Sequence, residues 1–119
     1  MCIKKLIGET SEYEKKEMLE IKKPKSWLKS VSAFANGIGG TLIFGISDSD
    51  TIIGLSDAKR DAEIISEQIK TKLDPIPEVN LRFHATEDGK ELIILQVAQG
   101  KETPYYYIGD GNRQTFIRI

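Results

Sequence analysis

The sequence predicts an α/β (α+β) domain, a mixed β-sheet of about six strands with two main helices packed on it, and three patterns support this. Two stretches place apolar residues three to four positions apart, the period of a helix with one buried face. Two others are unbroken apolar runs of strand length, as a sheet covered on both faces requires. Between them lie Gly, Pro, Asp and Ser clusters that punctuate rather than continue regular structure.

The first helix is expected at 24–36: Pro24 suits a first helical position, Trp27, Leu28, Val31, Phe34 and Ala35 share one face, and Asn36-Gly37 ends it. Trp27 and Phe34 read as core. The apolar run at 41–46 predicts a central strand, and the Ser47-Asp-Ser-Asp50 turn should fold it back on residues 51–53 as a hairpin ended by Gly54. From Asp57, the spacing of Ala58, Ala62, Ile65, Ile69 and Leu73 predicts the second helix, which Asp74-Pro75-Ile76-Pro77 must break. Val79, Leu81 and Phe83 alternate with polar neighbours, Asp88-Gly89 marks a turn, and 92–97 is apolar, predicting a second hairpin. Residues 114–119 alternate as a last strand that meets the chain end without a terminating turn, so residues 1–119 read as a single domain, the N-terminal part of a longer protein.

With 119 residues, 39% hydrophobic and 29% charged, the chain has enough apolar content for one core without disulfides or a structural metal. Cys2 is the single cysteine and has no intramolecular partner, as expected in a reducing compartment. The N-terminus lacks the apolar core of a secretory signal, and no stretch approaches the roughly 20 apolar residues of a membrane span, so the expected location is cytoplasmic. Net charge is −1, without the overall basic excess of many nucleic-acid binders. Residues 1–29, however, carry eight Lys against five Glu, a local excess of +3. That segment is the candidate electropositive face, against the plainer reading of a solvated lysine surface.

Gly37, Gly39 and Gly40 allow a sharp turn from helix to strand, serving either close packing or a backbone cradle for phosphate. Neither G-x-x-x-x-G-K-[ST] nor G-x-G-x-x-G is present, and the glycines follow a helix instead of opening one, which argues against ATP binding. His84 is the only histidine, expected on the face opposite Leu81 and Phe83, and supports neither a zinc site nor nucleophilic catalysis.

The string A-F-A-N-x-x-G-G-T-L-x-x-G-I-x-D over 33–48, preceded by Gly8-Glu-Thr-Ser-Glu-Tyr-Glu-Lys-Lys16 and followed by Gly54, resembles the Schlafen AlbA-like domain over nearly the whole chain. In bacteria that family, once called a divergent ATPase domain, stands at the N-terminus of transcriptional regulators, and the resemblance implies a DNA-binding module. In its nuclease members three carboxylates hold a divalent metal and cut RNA; the matching positions are Glu9, Glu14 and Asp48, and Mg2+ or Mn2+ is the implied cofactor on that reading alone. Here Lys15 stands where the family has an aromatic between Glu14 and Lys16, and Glu20-Ile21-Lys22 offers a competing register that leaves Lys15 in place of the first glutamate. Glu9 and Glu14, five apart, share one face of neither a helix nor a strand, so their convergence needs a bend.

The leading functional expectation is a cofactor-free module that binds DNA or RNA. Lys16, Lys22, Lys23, Lys25 and Lys29 would meet phosphates, with Arg113 and Arg118 at the rim. Tyr105 and Tyr107, alternate members of a three-tyrosine run, would stack on bases, the other reading being an edge strand with one ring in the core. The alternatives are a metal-dependent ribonuclease, and a homo-oligomer or protein-interaction unit formed through an exposed edge at 115–119.

Overall fold

In a computed structural model, which describes residues 12–117, the apolar run after Gly39 forms the inner strand β2 (Gly40–Phe44), with all five residues buried. It pairs in parallel with β1 (Tyr13–Lys16) and antiparallel with β5 (Glu91–Val97), and β4 (Val79–Ala85) completes the order β1-β2-β5-β4. Strand alternation then sorts the apolar side chains onto two faces. Leu42, Phe44, Ile93 and Leu95 join the main core with helices α1 (Lys25–Asn36) and α2 (Ala58–Lys72), whereas Ile43, Ile46, Leu92 and Ile94 form a second cluster with Tyr13 and Ile52. Trp27 meets Phe44 edge to face at 5.9 Å, and fully burying side chains of this kind stabilises by roughly 1.5–3 kcal/mol each.

Three short strands make a second sheet: β3 (Leu73–Asp74), β6 (Tyr106–Tyr107) and β7 (Gln114–Thr115), in that order and antiparallel. The fold is therefore α+β as expected, but its strands divide into sheets of four and three instead of one sheet of six. The terminal strand is shorter than expected, ending at Thr115, and residues 118–119 lie outside the description. Among the described residues, no helix is long and apolar enough to cross a membrane.

One local expectation fails and one strand was not foreseen, each for an identifiable reason. The hairpin at 42–53 reduces to one bridge, Ile46 with Ile52. Gly45, at φ +107, turns the chain out of β2, and its carbonyl accepts from both Ile53 and Gly54 amides, at 2.8 and 2.9 Å. Within the loop the Ser47 hydroxyl accepts the Thr51 amide at 3.1 Å, so a side chain replaces a ladder bond. Strand β1 went unread in the sequence because three of its four residues are charged. It forms because β2 offers a parallel edge and each charged side chain finds a partner, as described below.

The two sheets are tied together by Asn36, the last residue of α1. Its Oδ1 accepts the Tyr105 amide at 2.6 Å, while its Nδ2 donates to the carbonyls of Tyr105 at 3.0 Å and Phe116 at 3.1 Å. Ser32, one turn earlier and fully buried, donates its hydroxyl to the same Tyr105 carbonyl at 2.8 Å. The helix end itself closes on glycine: the amides of Gly37 and Gly39 both donate to the Phe34 carbonyl. Gly39 sits at φ +86 with the Val97 carbonyl where a side chain would begin, and a Cβ on Gly40 would run into the Phe34 ring.

Asn36→Ala leaves the Tyr105 amide and the Phe116 carbonyl, beside the second sheet, without this partner, the Tyr105 carbonyl keeping Ser32, and is expected to cost about 2–4 kcal/mol in urea unfolding. Asn36→Asp, which sets a carboxylate oxygen against the Tyr105 and Phe116 carbonyls, should cost at least as much. Gly39→Ala should cost about 1–3 kcal/mol through φ strain and the Val97 contact.

Candidate nucleic-acid interface

Strand β1 sends its side chains alternately to two sides of the sheet. On the α1 side, Glu14 accepts the Ser30 hydroxyl at 2.7 Å, and the Lys16 ammonium donates to the Ser26 carbonyl at 3.2 Å and pairs with Glu14 at 3.4 Å. On the other, Lys15 donates to the Asp48 carbonyl at 2.7 Å and to the Asp50 carboxylate at 2.8 Å. The hydrogen bond that Lys15 donates to Asp50, reinforced by the Asp50 charge, raises the Lys15 pKa above the ordinary lysine value. Lys15 and Lys16 are thus cations already engaged by the fold.

After β1 the chain dips to bury Leu19 in the main core and turns at 20–23 before entering α1. Two grooves flank this connection. One, of about 850 Å³, is lined by residues 14–23 and Asp48, and there four lysines face four carboxylates. The other, of about 520 Å³, lies at the start of α1, where Lys22, Lys23, Lys25 and Lys29 surround a single carboxylate, Asp110, with Tyr107 and Phe116 as the wall. Lys25 is fixed in this second cleft: its ammonium is 2.9 Å from Asp110 and lies over the Tyr107 and Phe116 rings at 5.7 and 5.9 Å from their centroids. Burial, with a further push from the Asp110 charge, raises the Tyr107 pKa, and Lys25 opposes the shift. The start of α1 adds the positive end of the helix dipole, with no side-chain cap and no acidic residue in its first turn.

A family model, Schlafen, AlbA_2, matches residues 9–119. The chain belongs to the Schlafen AlbA_2 family. No curated protein sequence matches it. Among solved structures, its fold is similar to the N-terminal domain of a protein related to the ATP-dependent DNA helicase RecG from Nitrosomonas europaea, with a TM-score of 0.68 and 22% identity over 98% of this chain and 84% of that one. It is also similar to the DIP2311 protein of Corynebacterium diphtheriae, with a TM-score of 0.60 and 21% identity over 92% of this chain. This chain covers only 23% of that protein.

Within this Schlafen AlbA_2 domain, the carboxylate positions carried over from nuclease relatives are only partly assembled. Glu14 and Asp48 line the same balanced groove; Glu9 lies outside the described residues. Glu14 already receives the Ser30 hydroxyl and the Lys16 ammonium, and among the described residues no three His, Cys, Asp or Glu side chains are grouped to hold a metal ion. With Glu9 outside the described residues, the three-carboxylate set is not placed as a whole. Of the predicted phosphate contacts, Lys22, Lys23 and Lys29 are exposed, Lys25 is paired with Asp110, and Lys16 is turned inward on Ser26. In the glycine turn, the Gly37 and Gly39 amides are used by the helix end.

The tyrosine assignment has to be corrected. Tyr105 and Tyr107 are buried at 4% and 3% exposure, so neither ring offers a face to a base. Asn36 fixes the backbone at Tyr105, which turns both of these rings into the core and leaves Tyr106 outside. There Arg113, paired with Asp74 at 3.0 Å, lies 5.1 Å over the Tyr106 ring. Arg113 is accordingly a clamp on the small sheet; Arg118 is outside the described residues. Asp110 and Phe116 were not singled out in the sequence, where a G-D-G turn and a lone aromatic carry no motif. Tyr107→Ala should cost about 3–5 kcal/mol in thermal or chemical unfolding, as for a large core truncation, and Tyr106→Ala under about 1 kcal/mol.

Proposed function

We propose that this domain binds nucleic acid through the lysine-lined cleft at the start of α1, as one module of a longer, regulator-type protein. The observation that carries the reading is the charge imbalance of that cleft, four lysines against one carboxylate, in a chain whose net charge is −1. Excess positive charge in a concave site, at the positive end of a helix, is suited to backbone phosphates. Family membership and the fold shared with the N-terminal domain of a RecG-related protein are consistent with such a role, and the small share of the Corynebacterium diphtheriae chain covered fits a module within larger proteins. Contacts of lysine with phosphate hold DNA or RNA in register without reading its sequence.

The test is a titration against labelled single-stranded and duplex DNA and RNA at two salt concentrations, with Mn2+ or a chelator, the products being run on a denaturing gel. Three to four phosphate contacts should weaken binding roughly 40- to 150-fold between about 50 and 200 mM salt, and replacing Lys22, Lys23 and Lys29 by Gln should flatten that dependence by about one unit of log–log slope per lysine. Absence of salt-sensitive binding would overturn the proposal. Cleavage that needs Mn2+ and disappears in Asp48→Ala would instead favour the ribonuclease alternative.

A further inference from the structure

The cleft contains an anion of its own. Among the described residues lining it, Asp110 is the only carboxylate, and it lies 2.9 Å from the Lys25 ammonium, a distance at which a phosphate oxygen would also sit. It reaches that place from the outside: Asp110 is carried on a turn closed by the Gly111 amide on the Ile108 carbonyl, and a side chain added at Gly111, at φ +89, would meet nothing within 4 Å. The base of the turn is anchored by the Ile108 amide donating to the Lys72 carbonyl at 2.8 Å, its tip at Gly111 faces open space, and Lys25 holds Asp110 to the cleft.

The rest of the cleft is made for more negative charge than Asp110 supplies. Lys25 is fixed between two aromatic rings, and Lys22, Lys23 and Lys29 stand around it with no carboxylate ion partner among the described residues. The start of α1 has no acidic residue in its first turn, and the buried Ser26 hydroxyl beside it has no hydrogen-bond partner.

We propose that Asp110 is an internal stand-in for phosphate, an autoinhibitory contact that gives up Lys25 when a backbone phosphate enters the cleft; this rests on the nucleic-acid reading above. A ligand must then compete with a tethered carboxylate. A lone phosphate brings one contact in place of the one it displaces, whereas a polynucleotide also engages Lys22, Lys23 and Lys29 through neighbouring phosphates. The contact thus lowers the affinity for both by the same factor, and only the polynucleotide has the further contacts to Lys22, Lys23 and Lys29 that offset it. No covalent step is involved.

The experiment compares the full chain with Asp110→Asn, and with Asp110→Ser as a second variant in case one of them folds poorly, in titrations of a fluorescein-labelled oligonucleotide and of AMP. Glu87→Gln, which removes an exposed carboxylate in the distant turn between β4 and β5, controls for net charge. Asp110→Asn should tighten oligonucleotide binding about three- to tenfold and steepen its salt dependence by about one unit of log–log slope, while Glu87→Gln changes it less than about twofold. Against a Lys25→Met background the gain should vanish. If the unaltered chain binds in a salt-sensitive manner but Asp110→Asn matches Glu87→Gln, or the gain survives Lys25→Met, the stand-in is overturned and the nucleic-acid reading stands. If no form binds the oligonucleotide, both fail together.

Discussion

The architecture depends on the carboxamide of Asn36. A helix end has carbonyls and amides to satisfy, and a two-residue strand has too few ladder bonds to hold itself in place. The Gly37 and Gly39 amides close the end of α1, and Asn36 resolves the second difficulty with its side chain, presenting an acceptor and a donor to the Tyr105 backbone as a neighbouring strand would, and reaching Phe116 with the same nitrogen. Only a planar amide has both functions at this spacing. The small sheet is thereby anchored to α1, which is itself packed against the large one, and Ser32 adds a second bond at the same carbonyl.

The consequences of that anchor reach the cleft. With the backbone at Tyr105 fixed, strand alternation sends Tyr105 and Tyr107 inward and Tyr106 outward. The buried Tyr107 and the Phe116 backbone held by Asn36 form the aromatic wall against which Lys25 lies. The asparagine ending the A-F-A-N string therefore shapes the wall of the cleft from outside it. A residue that looks like part of a sequence motif for function is a structural tie, and function follows from where the tie places other side chains.

What the sequence made legible follows from the same physics. Both helices, the inner strand β2 and the β4–β5 hairpin were visible because burial writes a periodic or continuous apolar pattern into the chain. Strand β1 was invisible because Glu14, Lys15 and Lys16 gain their places through Ser30, Asp48, Asp50 and Ser26, partners 10 to 35 residues away. The hairpin after β2 failed because Gly45 and the Ser47 hydroxyl supply the bonds that a second strand would have made. Tyr105 and Tyr107 were assigned to a ligand because three aromatics in a row give no sign of which pair faces inward until the backbone is fixed. The lysines of residues 22–29 were legible as a basic segment, but Asp110, some 85 residues from Lys25, could be joined to them only by the fold.

A net charge of −1 argues against nucleic-acid binding only if the charges are spread evenly, and here they are not. The connection from β1 to α1 separates two grooves that share Lys22 and Lys23; in one, carboxylates match the lysines one for one, and in the other a single carboxylate faces four. Electrostatic interactions between exposed charges decay over about 8 Å at physiological ionic strength, so a phosphate entering the second groove responds chiefly to its own lysines and little to acidic residues on α2 or the β4–β5 turn. The composition of the whole chain averages over distances that screening makes irrelevant. What would decide such an interaction is the local balance, and at the start of α1 the one carboxylate among the described lining residues is Asp110.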